Sequence, residues 1–318
     1  MPNYSGVWSL TTVLGAINVG NWPQGPLTGD IGILAGEGYN GNKVQYITIT
    51  STGNTSDWGD MLISRSAFAA ASSSTRGLFA GSSSNTNSIE FITISSVGSS
   101  GSTFGDLTDG RGYLAGASNS TRGLFAGGTS STTNTIDYVT IASTGNASDF
   151  GDLTVARYSV GGSAGTTRAL FFGGDDGGSA PAGFNTIDYV TIASTGNASD
   201  FGDLLEYAER VEGASSSTRC VIAGGQQSST IYNVIQYVTI ASTGNATDFG
   251  DLTVARTFAV GMSNSTRAVF ASGNVGGSPL NTMDYVTIAS TGNAVDFGDI
   301  TTTVASPASC SNAHGGLA

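Results

Sequence analysis

The sequence predicts an all-β chain closed into a six-bladed β-propeller with four-stranded blades, and three observations carry that expectation. A unit of just under 50 residues recurs six times. Each unit reads as four short strands punctuated by turn residues. The last unit is followed by a fragment that supplies what the first unit lacks.

The repeat is visible before any secondary-structure reasoning. Tyr-Val-Thr-Ile-Ala-Ser-Thr-Gly-Asn-Ala starts at Tyr138, Tyr189, Tyr237 and Tyr285, with looser copies from Tyr46 and Phe91. Each copy precedes an aromatic-Gly-Asp triplet, beginning at Trp58, Phe104, Phe150, Phe201, Phe249 and Phe297. A third element, Ser/Thr-Thr-Arg followed by a short apolar run, places Arg76, Arg122, Arg168, Arg219 and Arg267 at intervals of 46, 46, 51 and 48 residues.

In the unit that opens at Arg157, strand a is RYSVGGSA, and strand b is ALFFGG from Ala169. Strand c is TIDYVTIAS from Thr186, and strand d is DFGDL from Asp200. Tyr, Val, Thr, Ile and Phe suit strands, whereas Ser-Thr-Gly-Asn is a turn with a residue able to take positive φ. Strand a is rich in Gly, Ala and Ser, as the crowded inner rim of a radial array requires. Four strands per unit match a propeller blade. The rival is an open solenoid, whose end repeats would be atypical polar caps. Here the first unit has strands b (from Gly32), c and d but no strand a, and VASPASCSNAH from Val304 aligns with the strand a of VARYSVGGSAG from Val155. The C-terminal strand is therefore expected to complete blade 1. The blades span 29–63 plus 304–314, 64–109, 110–155, 156–206, 207–254 and 255–303, following an arm of residues 1–28.

Composition narrows the function classes. The chain has 318 residues, 39 % of them hydrophobic, with 47 Gly and 6 Pro, so a core is expected and disorder is not. No apolar stretch approaches a membrane span, and the N-terminus lacks a signal-peptide pattern. Eleven basic residues against 23 acids give a net charge of −12, which repels phosphate backbones and argues against nucleic acid as a partner. Two distant cysteines, Cys220 and Cys310, and a lone His314 predict free thiols and a surface histidine, with no metal and no cofactor.

The pattern of Arg, small residues, Gly-Gly, Tyr and a downstream aromatic resembles the kelch repeat, which implies a kelch-like propeller. The phrase DYVTIASTGNASDFGDLTVAR is similar to repeats of virion proteins of tailed bacteriophages, especially marine and cyanobacterial ones. Gly6-Val7-Trp8-Ser9-Leu10 with Asn21-Trp22-Pro23 also resembles segments of phage tail proteins. The repeat resemblance covers roughly 29–314. It implies a virion structural protein without saying which part of the particle.

The repeated residues read as scaffold. Asp-Phe-Gly appears without a kinase's Gly-rich loop and catalytic lysine, so that match is accidental. Thr55-Ser56-Asp57-Trp58-Gly59 partly resembles the structural Asp-box of sialidases, and a copper oxidase on a kelch frame would need histidines. An enzyme is not expected. Arg65, Arg111, Arg157 and Arg256 follow Asp60, Asp106, Asp152 and Asp251 by five residues, while Arg210 follows Asp203 by seven; Asp299 completes the series. Such an Arg is expected to pair with a carboxylate or cap turn carbonyls, tying strand d to the next strand a. The position before the strand-c aromatic holds Asp137, Asp188, Asp284, Glu90, Gln45 or Gln236, which suits a solvated or hydrogen-bonded site. The repeated aromatics are expected to pack between blades.

Variation falls on one face. The a–b and c–d turns are nearly uniform, whereas the b–c and d–a connections differ in length and chemistry, as in Gly36–Asn42, Gly173–Asn185, Gly224–Asn233 and Leu205–Gly213. Glu37, Asp109, Asp175, Asp176, Glu206, Glu209 and Glu212 lie in or beside those connections. Loops on a rigid frame are the usual seat of recognition, so Tyr39, Asp175, Asp176, Phe184, Gln226, Gln227, Tyr232, Glu206 and Glu209 are the candidate binding residues. Trp8, Leu10, Val13, Leu14 and Ile17 could line one side of an attachment or oligomerisation arm, or pack back under blade 1. The resulting expectation is a non-enzymatic tail fibre or receptor-binding subunit, made in the bacterial cytoplasm and carried on the virion. It would be held to other virion proteins by the arm and homo-oligomeric in the particle. It would meet a host-surface glycan or protein through the variable face, with no membrane insertion. A capsid decoration or baseplate protein, and a glycan-binding lectin, remain alternatives. A divalent cation on Asp175 and Asp176 has little support.

Overall fold

The computed structural model describes residues 27–36, 41–129, 131–178, 183–303 and 306–317. Six antiparallel four-stranded sheets form a six-bladed β-propeller. Blade 2 runs a–d as Ala69–Ser72, Arg76–Ala80, Ser88–Thr93 and Ser102–Asp106. Blade 3 is Ala115–Ser118, Arg122–Ala126, Thr135–Thr140 and Ser148–Asp152. Blade 4 is Gly161–Ala164, Arg168–Phe172, Phe184–Thr191 and Ser199–Ala208. Blade 5 is Glu212–Ser215, Arg219–Ala223, Val234–Thr239 and Thr247–Asp251, and blade 6 is Val260–Ser263, Arg267–Ala271, Thr282–Thr287 and Val295–Asp299. Blade 1 takes its strands b–d from Ile31–Ala35, Gly41–Thr48 and Ser56–Arg65 and its strand a from Ala308–Ser311, paired from Gly32↔Ser311 to Ala35↔Ala308. The C-terminal strand thus closes the ring as expected, although its register differs by two residues from the alignment of Val304 with Val155, since Ala308 and not Cys310 takes the place of Gly161.

The apolar core lies between blades. Leu124, Ile136 and Phe150 of blade 3 meet Phe171, Val190 and Ile192 of blade 4, and equivalent clusters join every neighbouring pair, including blade 6 to blade 1 through Phe297, Val269, Leu34 and Ile47. Each fully buried phenylalanine contributes roughly 1.5–3 kcal/mol by leaving water. The triplet aromatic and the strand-c aromatic also pack edge to face within a blade, with ring centroids 5.8 Å apart for Tyr138–Phe150 and 6.0 Å for Tyr285–Phe297.

The uniform face is uniform because each of its turns is bonded to the neighbouring blade. Arg122 stacks on the Tyr138 ring at 4.8 Å and donates from Nη1 to the Ile192 carbonyl of blade 4. Arg267 repeats this from blade 6 to Ile49 of blade 1. The turn Asn of one blade accepts from the triplet Asp backbone N–H of the preceding blade, as in Asp152 to Asn197 and Asp299 to Asn54. Gly151, at φ 144°, lies flat against the Gly196–Asn197 backbone, which explains the Gly of the triplet. The triplet aspartates Asp60, Asp106, Asp152, Asp203, Asp251 and Asp299 therefore serve through their backbone and stay at least partly exposed.

The carboxylate partner of the d–a arginines is instead the residue before the strand-c aromatic. Arg65 pairs with Glu90, Arg111 with Asp137, Arg157 with Asp188 and Arg256 with Asp284, at 2.8–3.1 Å and buried on both sides. Thr154 adds its N–H and hydroxyl to Asp188, clasping strand d of blade 3 to strand c of blade 4. Of the solvated and hydrogen-bonded alternatives for these acids, the structure shows the second: they are buried and hydrogen-bonded.

Arg210 does not belong to that series. Ala208 occupies the place of the buried arginine, its carbonyl accepting from Gly174 N–H as that of Arg157 accepts from Gly128. Two extra residues in the connection carry Arg210 onward. Gln236 then replaces the acid and accepts from Leu205 N–H at 2.8 Å. Gln45 in blade 1 likewise faces no arginine, and takes the Thr55 and Thr301 hydroxyls. An acid stands on strand c where an arginine is buried beside it, and a glutamine where none is.

The inner strands meet around the axis. The hydroxyls of Ser263, Ser311 and Ser72 donate to the carbonyls of Ser215, Ser263 and Ser311, stitching blades 5, 6, 1 and 2 edge to edge. A Cβ on Gly116 would overlap the Ala70 carbonyl oxygen of the adjacent inner strand. Gly116→Ala is therefore expected to lower stability by about 1–3 kcal/mol, read as a lower urea midpoint at unchanged slope.

Candidate functional site

The variable face is built from the b–c loops and the d–a connections, and its irregular part gathers between blades 4 and 5. Tyr158 bridges Asp175, and Glu209 bridges Gln226, through paired backbone bonds. Gln226 Nε2 donates to Glu209 Oε1 at 2.7 Å, and the Tyr232 hydroxyl donates to Gln227 Oε1 at 3.2 Å. Asp175 and Asp176 each accept from a backbone N–H two residues on, Gly177 and Gly178, so both shape their own loop. Burial, followed by the charges of Asp175 and Glu209, raises the Tyr158 hydroxyl above its ordinary pKa, and burial with Glu206 does the same for Tyr232. Glu206 stands between exposed Leu205 and Tyr207, on a strand d that runs on to Ala208, two residues past the expected boundary. Phe184 is half-buried at the foot of the same sector, paired with Ala208.

Of the nine candidate binding residues, eight are therefore brought into this sector. Tyr39, and the arm residues Trp8, Leu10, Val13, Leu14 and Ile17, lie outside the described residues. Leu27 anchors the start of the described chain, donating to the Ser95 carbonyl and packing against the blade 1–blade 2 core. Among the described residues no group of three or more His, Cys, Asp or Glu side chains is placed to hold a metal ion.

Sequence reasoning missed the axial mouth. Ser306, Ala67, Tyr113, Ser159, Arg210 and Phe258 follow one another around the axis, each N–H from Ala67 to Phe258 donating to the carbonyl of the residue before it. Ala67, Tyr113, Ser159, Arg210 and Phe258 hold φ of 50–59°, a costly region for bulky side chains. This collar carries a different side chain at nearly every position. Tyr113 and Phe258 meet across it with centroids 6.4 Å apart, and Arg210 stacks on Phe258 at 4.6 Å. Counting back three residues from Gly116, Gly162, Gly213 and Gly261 would have placed Tyr113, Ser159, Arg210 and Phe258 in one register. Counting forward from the triplet concealed it.

Below the collar runs an axial cavity of about 80 Å³ lined by the inner strands. Its far end is closed by the segment after Ser311, where His314 Nε2 lies 3.3 Å from both Ser118 Oγ and the Ser72 carbonyl. His314 is therefore not a surface residue. Burial holds its imidazole down to about 4. Cys220 and Cys310 are free and buried, and burial pushes both thiols up to about 12.

No protein-family model matches the chain, and no curated protein is significantly similar to it. The site between blades 4 and 5 joins carboxylates, tyrosines and exposed apolar side chains on loops held by a rigid ring, an arrangement suited to recognising a partner surface.

Proposed function

We propose that the protein is a non-enzymatic structural component of a bacteriophage virion, and that its b–c and d–a face recognises the host surface as part of a tail fibre or receptor-binding subunit. One observation carries the recognition half. Divergence between otherwise matching blades falls mostly on one face, and much of it gathers in one sector, where Asp175, Asp176, Glu206, Glu209, Tyr158 and Tyr232 stand together. The virion half is supported by the likeness of the repeat phrase to phage structural proteins. Under this reading the protein is homo-oligomeric in the particle and joined to other virion proteins through residues 1–28.

Labelled protein is expected to adsorb saturably to a susceptible host. Replacing Gly173–Asn185 with the shorter Gly127–Asn134 loop of blade 3 is expected to abolish that adsorption, while substitutions in the Ser-Thr-Gly-Asn turns leave it intact. Loss of adsorption on changing the uniform face instead would overturn the placement. A protein that adsorbs to no host would move the role to capsid decoration or baseplate assembly, for which exposed Leu62 and Ile63 on the outer strand of blade 1 offer a contact.

A further inference from the structure

Five blades place Ala69, Ala115, Gly161, Val260 or Ala308 at the first position of strand a, and blade 5 places Glu212 there. Glu212 borders both the axial cavity and the smaller pocket of about 60 Å³ under the collar. It accepts hydrogen bonds from the backbone N–H groups of Gly213, at 3.0 Å, and Gly162. Among the described residues no Lys, Arg or His lies within ion-pair distance of it, although Arg210 is two residues away and bonded toward Glu209. A partly buried acid without a counter-ion is a cost the other five blades avoid.

Three further features point to what would offset it. Ser159 lines the collar pocket, is 6 % exposed, and its hydroxyl has no partner. The Tyr113 and Phe258 rings close one side of the mouth, the ring faces that attract cations. Asp175, Asp176 and Glu209 make the surrounding face acidic, which draws cations toward the mouth. A cavity of this size holds a group as large as a water or an ammonium.

We propose that the pocket under the collar is a binding site for an organic ammonium group, admitted beside Ala67 and Pro307 and held by the Glu212 carboxylate, with Ser159 Oγ as a second acceptor. The site stands whether or not the face engages a host. A lysine side chain of a partner protein and a free alkylamine share this chemistry.

The pH dependence follows from the environment of Glu212. Burial pushes its carboxyl up to about 8, above an unfolded value of 4.5. The groups facing it are the Cys220 thiol, pushed up to about 12, the Arg210 guanidinium, and His314 across the cavity, held down to about 4. None of the cysteine or histidine values falls between pH 6 and 9, so Glu212 governs that window. Ammonium binding stabilises the carboxylate, so it releases a proton below about pH 8.

Titration of the full chain with n-butylammonium chloride, followed by calorimetry in two buffers of different ionisation enthalpy, tests this. Saturable binding is expected, tightening by up to about tenfold per pH unit from pH 6 to 8 and levelling off above, with a buffer-dependent heat. Glu212→Gln is expected to weaken binding at least about tenfold. Ser159→Ala should weaken it less. Because the folded-state value is raised, Glu212 costs stability progressively as pH rises from 4.5 to about 8. Glu212→Gln should therefore unfold at an equal or higher urea midpoint at pH 8, which separates loss of binding from loss of fold. A lysine-bearing peptide that binds where butylammonium does not would also support the site, provided Glu212→Gln removes it. Absence of saturable binding by both, equal binding by Glu212→Gln, or binding of sodium acetate in place of the amine would overturn the proposal.

Discussion

Deleting residues 308–317 is expected to leave the chain without a cooperative unfolding transition. The deletion removes the inner strand of blade 1, so the Ile31–Ala35 strand loses the pairings from Gly32↔Ser311 to Ala35↔Ala308. It also removes two links of the serine belt and takes Ala308 and Cys310 from the core between blades 1 and 2. Each buried backbone group left unpaired costs about 1–3 kcal/mol, and several together rival the roughly 5–15 kcal/mol by which a domain is stable at all. Far-ultraviolet circular dichroism through a urea series would read the loss, and a synthetic peptide of residues 304–317 should restore the transition. A truncated chain that unfolds with the native midpoint and slope would mean that the inter-blade cores hold the ring without its closing strand.

Arg157→Ala is expected to lower stability by about 3–5 kcal/mol, because it strands the Asp188 carboxylate in the blade 3–blade 4 core with only Thr154 as a partner. The double variant Arg157→Ala with Asp188→Gln should recover most of that. It recreates the Ala208–Gln236 arrangement that already joins blade 4 to blade 5. Arg157 Nε and Nη1 find no partner, and desolvation lowers the guanidinium's pKa more than Asp188 raises it, so the pair itself contributes little net stability. A double-mutant cycle by urea denaturation measures the coupling. If the double variant is as unstable as Arg157→Ala, the salt bridge is intrinsically stabilising and the glutamine is no substitute.

Strand order, blade number and ring closure were readable because every unit repeats the same apolar spacing and the C-terminal fragment matches a strand a. The partner of the buried arginines was less readable. Asp60 through Asp299 stand close to the arginines in sequence, whereas Glu90, Asp137, Asp188 and Asp284 reach them only across a blade boundary. A comparison of units would have shown it, since Gln45 and Gln236 occur where Val304 and Ala208, five residues after the triplet Asp, stand at the arginine position. His314 was misplaced because the segment after the last strand turns inward over the axis, a direction that no local pattern encodes. The eight candidate loop residues that the structure describes were found by variation alone, yet their convergence on one sector depends on which loops share a blade boundary.

By itself the sequence determined the repeating unit, the four strands of each blade, the small inner rim and the uniform and variable faces. Periodicity and turn chemistry are local properties, and six copies average away their ambiguity. Tertiary structure alone decided that Arg210 joins the collar, that Ser159 is left without a partner and that Glu212 faces the axial cavity without a counter-ion. Those outcomes depend on six strands converging on one axis, where residues about 50 positions apart become neighbours and a two-residue insertion moves a charge from a buried clasp to the rim of a cavity.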